Sequence, residues 1–249
     1  MQRLRIDGET RLLVLTGAGV SAESGVPTFR DANGLWENHP IEQVATPEGF
    51  REDPGLVWRF YSERRKRALQ VQPNPGHLEL AAIEQRLGER FLLVTQNVDG
   101  LHRRAGSRRL VEIHGNLFET RCFHCDRPEF ADDSLHLEDD VPACELCAAA
   151  GRAGLLRPAI VWFGELLDPQ RVGRIEAFLA EGRRAGRLVF LAVGTSGVVY
   201  PAAALVQQAR AAGGETWLVN IEPPDNVGAF RHFVQGPSGV VLPELFAWA

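Results

Sequence analysis

Four polar side chains, Gln96, Asn97, Asp99 and His102, fall within seven residues directly behind the apolar run Phe91-Leu-Leu-Val94. Two amides and a carboxylate at the end of a buried strand suit the orientation of a polar ligand and a water. Ligands of open α/β sheets bind beyond the carboxyl ends of the strands. The same residues also suit a strand end followed by a helix capped by Asn97 or Asp99. A second apolar run, Leu110-Val-Glu-Ile113, closes on His114-Gly115. There an imidazole is either a loop residue without duty or a base that titrates near working pH. The pattern Cys122-x2-Cys125-x18-Cys144-x2-Cys147 is more specific. It is the spacing of a tetrahedral, all-cysteine zinc site, and four thiolates leave no open position for a reacting water. One structural zinc is therefore expected, with His124 an alternative ligand that a closed shell does not need.

Phosphate chemistry is suggested by glycine. Gly17-Ala18-Gly19-Val-Ser21-Ala22 follows the apolar run Arg11-Leu-Leu-Val-Leu-Thr16 and fits the G-x-G-x-x-G/A dinucleotide pattern. Glycines there let the backbone turn tightly against a pyrophosphate, and a following helix N-terminus offers its N–H groups. The rest of that fingerprint is missing. No second strand ending in an acidic residue follows; the chain runs instead through Ser24-Gly-Val-Pro27-Thr-Phe29-Arg30-Asp31, a long loop of the kind that is usually functional. A hydride-transfer enzyme with a standard Rossmann start is thus disfavoured. Gly194-Thr195-Ser196, after the apolar run Arg187-Leu-Val-Phe-Leu-Ala-Val193, is a second phosphate cradle. Asn220 and Glu222, at the end of a strand from Thr216, offer ribose contacts.

These residues need elements to hold them. Strands are expected at the runs named, and amphipathic helices over residues 55–69, from Pro75-Gly-His77 to Gly88 with Leu78, Ala81, Ala82 and Leu87 apolar, and from about Pro169 to Arg184. In the first of these helices, Tyr61 and Arg64 stand three apart on one face; the plain alternative is a solvated basic face with Tyr61 half-buried. Residues 236–242 are expected to close the sheet. The fold class is α/β, a Rossmann-like parallel sheet with a smaller inserted zinc-binding and helical domain. The large lobe takes about residues 1–35, 74–116 and 157–249, and the small lobe takes about 36–73 and 117–156.

Composition narrows the function. A chain of 249 residues, 45% hydrophobic and 24% charged, buries a sizeable core without disulfides. A net charge of −5 argues against a general nucleic-acid or membrane-surface binder. The acidic stretch around Asp132, Asp133 and residues 138–140 argues against a zinc-ribbon nucleic-acid adaptor. Residues 1–11 are polar and charged, no apolar run approaches the roughly 18–20 residues of a membrane span, and the cysteines are confined to one module. A cytoplasmic monomer is expected.

Taken together, residues 17–30, Thr95-Gln-Asn-Val-Asp-Gly-Leu-His102, His114-Gly115, the paired cysteines, Val161-Trp162-Phe163-Gly164, Gly194-Thr-Ser196 and Val219-Asn-Ile-Glu222 resemble the sirtuin family, in order over nearly the whole chain. The resemblance implies an NAD-consuming protein-lysine deacylase acting on acyl-lysine proteins or peptides. By that likeness the acyl oxygen attacks C1′ of the nicotinamide ribose, nicotinamide leaves, and an alkylimidate forms. His114 is the implied general base, and water then completes release of the lysine and O-acyl-ADP-ribose. Gln96, Asn97 and Asp99 are implied around nicotinamide and its ribose, with Asn97 also catalytic. Ala18, Gly19, Phe29 and Arg30 would lie along the cofactor, Gly194, Thr195 and Ser196 at phosphate and ribose, Asn220 and Glu222 at the adenosine ribose, and Ser238 at the adenine edge. Val161, Trp162 and Phe163 would pair with the peptide as an added strand. Phe60-Tyr61-Ser-Glu-Arg64 resembles the class whose Tyr-x-x-Arg pair binds acidic acyl groups, which implies succinyl or malonyl removal with deacetylation as a second activity. ADP-ribosyl transfer to protein is the nearest rival. Ala159, where many relatives carry histidine, is a departure at the substrate rim.

Overall fold

The computed structural model describes residues 2–27, 35–36, 39–138, 140–182, 184, 186–195 and 202–249. The apolar runs form a six-stranded parallel sheet of Thr10–Thr16, Phe91–Thr95, Leu110–Glu112, Arg187–Val193, Glu215–Asn220 and His232–Gln235. Counted along the chain, the strands lie side by side as third, second, first, fourth, fifth, sixth. That is the order of a dinucleotide-binding sheet. Successive side chains of a strand point to opposite faces, and both faces are covered. Leu12, Val14, Phe91, Leu93, Val189 and Leu191 join one core, with Leu80 and Ile83 of helix Pro75–Leu87 and Leu242 and Leu245 of helix Ser238–Leu245. Their neighbours Leu13, Leu15, Leu92, Val94, Leu188 and Phe190 join the other, against helices Pro169–Gly182 and Ala202–Ala211. Burial on both faces explains why these strands read as continuous apolar runs.

A third core gathers Phe50, Trp58, Tyr61, Leu117, Ile160 and Trp162. It is built from helices Pro47–Glu52 and Pro54–Gln70 on an antiparallel sheet of Gly115–Cys122, Phe130–Ala131 and Leu156–Ile160. Thr46 and Asp53 cap the two helices through Gly49 N and Leu56 N, each with proline at the first helical position. Among the described residues, no helix is long and apolar enough to cross a membrane.

Three local expectations and one alternative reading are corrected. Residues 236–242 do not close the sheet. His232–Gln235 does, and Ser238–Leu245 is a helix because Glu23, distant in sequence, accepts from Gly239 N (2.7 Å) and Ser238 Oγ (3.1 Å) at its start. The Gly17 motif leads into two short 3₁₀ turns, Ala18–Val20 and Ala22–Ser24, rather than a long helix. In the helix from Pro75, Leu78 is 52% exposed and Ala82 is also exposed, while His77, Leu80 and Ile83 face inward. Finally, Pro54–Gln70 has no wholly solvated basic face. Arg65 is fully buried, donating to Leu117 O, Ser134 O and Thr120 Oγ1 and pairing with Asp132, and Tyr61 is 0% exposed rather than half-buried. A guanidinium's five donors allow that burial only when carbonyls and a carboxylate surround it. Pairings not foreseen include Leu4–Ile6 with Phe246–Trp248 and the antiparallel pairing of Gly115–Cys122 with Phe130–Ala131 and Leu156–Ile160.

Candidate active site

The chain winds away in opposite directions from the adjacent strands Thr10–Thr16 and Arg187–Val193, and their ends define the crevice of the sheet. The two glycine loops meet there. Gly17 N donates to Val193 O (3.0 Å), Gly19 N to Gly194 O (2.8 Å) and Gly194 N to Val219 O (2.9 Å). A Cβ on Gly19 would lie 2.7 Å from Gly194 Cα, and one on Gly194, whose φ is 59°, would lie 2.4 Å from Val20 N. Only glycine permits this approach, and it leaves a backbone-lined cradle suited to a pyrophosphate. Gln96 Nε2 donates to Thr195 Oγ1 (3.0 Å) and Asn220 Nδ2 to Thr195 O (3.2 Å), so the ends of Phe91–Thr95, Arg187–Val193 and Glu215–Asn220 are tied together across the cradle. Ala18 and Gly19 are half-buried at its wall. Ser238 is buried with its hydroxyl on Glu23, and Glu222 is exposed two residues past its strand. Phe29, Arg30 and Ser196 lie outside the described residues.

Beneath the cradle, Ser21 joins the first loop to the stretch after Phe91–Thr95. Its Oγ donates to Asp99 Oδ2 (2.7 Å) and accepts from Asn97 Nδ2 (3.0 Å), which also donates to Gly17 O (3.1 Å). His77 Nε2 stands 3.3 Å away, and His77 Nδ1 accepts from Asn74 N. Because Nδ1 is the acceptor, the proton sits on Nε2 and points at Ser21. Burial pushes His77 down to about 4 and His102, 4.7 Å away ring to ring, well below its ordinary value. Both imidazoles are therefore neutral core groups. His102 Nε2 is held 2.9 Å from Thr16 Oγ1, so this histidine belongs to the wall. Burial raises Asp99, against the donors Leu101 N and Ser21 Oγ that favour its charged form. Asp99 Oδ1 thus accepts from Leu101 N at the start of the helix Leu101–Ala105, while Oδ2 is held by Ser21.

His114 is positioned by its neighbour. Gly115 has φ 87° and a Cβ there would lie 1.9 Å from Ala159 O, so the chain can turn only at glycine. His114 Nδ1 lies 3.1 Å from Gln96 O, a group that can only accept. Nδ1 therefore carries the proton and Nε2 presents a lone pair. Burial lowers His114, partly offset by that bond, which keeps it unprotonated near neutral pH.

Residues 161–163, expected to pair with a peptide as an added strand, spend their N–H groups within the chain. Val161 N donates to His114 O (2.9 Å), Trp162 N to Glu165 Oε2 (2.8 Å) and Phe163 N to Ala45 O (2.9 Å), so all three N–H groups are used within the chain. A peptide pairing with this segment has only its carbonyls to use. Trp162 is buried and donates its indole N–H to Tyr61 Oη (3.0 Å), while Phe163 is half exposed. Arg64 is half-buried one helical turn from Tyr61, with its Cζ 4.2 Å from the centre of the Trp36 ring.

The four cysteine sulfurs lie within 4.8 Å of one another, with Cys122–Cys147 at 3.7 Å and Cys125–Cys144 at 3.8 Å. A tetrahedron with Zn–S bonds of about 2.3 Å has edges of about 3.8 Å, so the set fits one zinc. His124 Nδ1 accepts from Leu155 N (3.3 Å) and is turned to the backbone.

The profile of the Sir2 family matches residues 17–201. The chain belongs to the Sir2 family. It is 46% identical over 236 residues to a Salmonella typhimurium NAD-dependent protein deacylase, covering 94% of this chain and 82% of that one. It is 43% identical over 259 residues to the mitochondrial NAD-dependent protein deacylase sirtuin-5 of Canis lupus familiaris, covering 95% and 81%. Among solved structures, a Sir2 homologue bound to NAD superposes with a TM-score of 0.82 at 40% identity, covering 94% of this chain and 87% of that one. A Sir2 protein with a deacetylated p53 peptide and 3′-O-acetyl ADP-ribose gives 0.77 at 30% identity, covering 93% and 90%.

In this Sir2-family enzyme, sequence reasoning singled out the residues of the strand ends but not those that hold them. Ser21 was visible only as part of the glycine motif, and His77 only as part of a helix start. The Asn74-Pro-Gly-His77 pattern does encode a capping box, with Asn74 Oδ1 accepting from Gly76 N and His77 N. Nothing in the sequence could point His77 at Ser21, Glu23 at Ser238, or Arg157 at Glu165.

Proposed function

We propose that the protein is an NAD-dependent protein-lysine deacylase that removes succinyl and malonyl groups, with acetyl as a second substrate. The observation that carries the reading is His114, its Nδ1 proton committed to Gln96 O and its Nε2 basic, at the end of the sheet whose crevice holds the glycine cradle. The kinship with proteins named NAD-dependent protein deacylase supports it. When bound, NAD supplies the ribose carbon from which nicotinamide is displaced. Gly17, Ala18, Gly19, Gly194 and Thr195 would line its pyrophosphate; the N–H groups of Gly17, Gly19 and Gly194 are spent within the chain, so these glycines serve by close approach of the backbone rather than as donors. Gln96, Asn97 and Asp99 would face the nicotinamide side, Phe29 and Arg30 would lie along the cofactor, and Ser196 would join Gly194 and Thr195 at phosphate and ribose. Asn220, Glu222 and Ser238 would serve the adenosine end. His114 Nε2 accepts a proton from a ribose hydroxyl, and the lowered basicity of this imidazole keeps it ready to do so at neutral pH.

The acyl preference rests on Tyr61 and Arg64. A terminal carboxylate matches the forked donor set of a guanidinium and a phenol donor, the two groups that Arg64 and Tyr61 carry one helical turn apart. In this reading the large lobe takes about residues 1–35, 74–116 and 157–249, and the small lobe about 36–73 and 117–156, with Ile160 and Trp162 reaching into the small lobe's core. The enzyme works as a cytoplasmic monomer on acyl-lysine proteins, without nucleic acid or membrane.

The test is mass spectrometry of succinyl-, malonyl- and acetyl-lysine peptides with and without NAD. Nicotinamide release matched one-to-one with acyl loss is expected. NAD consumption with the acyl group intact would instead mark ADP-ribosyl transfer. Tyr61→Phe with Arg64→Met should lower succinyl turnover far more than acetyl turnover, and an unchanged ratio refutes the acyl assignment.

A further inference from the structure

We propose that Trp162, clamped by the ion pair of buried Arg157 with half-buried Glu165, fixes the Tyr61 hydroxyl as a hydrogen-bond donor and thereby sets the preference for acidic over neutral acyl groups. This rests on the acidic-acyl reading above and adds the residues that enforce it. An indole N–H only donates. At 3.0 Å it makes Tyr61 Oη the acceptor of that bond, so the phenol hydrogen must point away from Trp162. Burial raises the phenol to about 12, which keeps that hydrogen in place at any working pH. A phenol so fixed offers a donor, which a carboxylate can accept and a methyl group cannot.

The indole has no freedom to turn. Arg157, 1% exposed, donates to both Glu165 oxygens (2.5 and 3.0 Å) and to Ile160 O (2.5 Å), and its Cζ lies 3.3 Å from the Trp162 ring centre. Glu165 Oε2 also accepts from Trp162 N (2.8 Å). The ion pair therefore grips Trp162 at its backbone and across its ring face.

The test compares kcat/KM for succinyl- and acetyl-lysine peptides at saturating NAD in wild type, Tyr61→Phe, Trp162→Phe and the double variant. Each single variant should lower the succinyl-to-acetyl ratio about tenfold, the effect of one hydrogen bond to a charged group. The double variant should be no lower than Tyr61→Phe alone. Glu165→Gln, which keeps the shape of the clamp and weakens its charge, should lower the ratio in the same direction and serves if Trp162→Phe does not fold. In ¹⁵N-labelled protein, the Trp162 indole cross-peak should move in Tyr61→Phe. An unchanged ratio in Tyr61→Phe refutes the acyl reading beneath the inference. A reduced ratio in Tyr61→Phe, with losses that simply add in the double variant or none in Trp162→Phe and Glu165→Gln, refutes the inference alone.

Discussion

Gly19→Ala is the sharpest test of the cradle. The new methyl would begin 2.7 Å from Gly194 Cα and 2.8 Å from Gly194 O, both backbone atoms that cannot rotate aside. Carbon atoms settle at about 3.5 Å or more, so the two loops must part by about 0.8 Å. The Gly19 N–Gly194 O hydrogen bond, now 2.8 Å, would then stretch beyond bonding distance. Overpacking costs about 1–3 kcal/mol and the lost bond about 1 kcal/mol, so a destabilisation of about 2–4 kcal/mol is expected. A shift of this size in a substrate-positioning loop costs about 100-fold in kcat/KM, and it should appear with NAD varied at saturating peptide. Denaturant unfolding gives the first number and steady-state kinetics the second. Gly8→Ala is the control, since its Cβ would meet nothing within 4 Å. If Gly19→Ala unfolds within a few tenths of a kcal/mol (roughly, the scale of a surface change) and keeps its KM for NAD, the cradle argument is wrong.

Three other outcomes follow from the same geometry. His114 is lowered by burial below its ordinary 6.5 and must be unprotonated to act as a base, so kcat/KM should fall with decreasing pH along a limb centred below 6.5; a midpoint at or above that value refutes the assignment. His77 has a folded value of about 4 against 6.5 unfolded, so between these the unfolded chain binds a proton that the folded one refuses. Stability should thus decline as pH falls from 6.5 towards 4, by about 3 kcal/mol, and a slope no steeper than that of His77→Gln in denaturant melts at pH 7 and 4.5 would sink this account. Structural zinc contributes on the order of 10 kcal/mol of binding energy to its module. Chelation, or Cys144→Ser, should therefore unfold the sheet of Gly115–Cys122 and Leu156–Ile160 and abolish turnover, while atomic absorption on the native protein that finds no zinc would contradict the metal assignment.

The sequence alone determined much of this protein, because some physics is local. Continuous apolar runs bounded by turn residues favour strands buried on both faces, paired Cys-x2-Cys knuckles at that separation favour convergence on a soft metal, and glycines at 17, 19 and 115 mark places where side chains do not fit. Those features fixed the fold class and the residues at the strand ends. What pairs across the chain was decided by tertiary structure. The last apolar run became a helix because Glu23 reaches Gly239 N, some two hundred residues away in sequence. His114 acquired a defined tautomer because Gln96 O stands beside it, and Ser21 became a junction because Asn97, Asp99 and His77 arrive from separate segments. Arg65 and Arg157 look like surface charges in the sequence, yet carbonyls and carboxylates from other elements make their burial tolerable. Hydrogen-bond partners distant in sequence leave no periodicity or spacing to read, so only the folded chain reveals them.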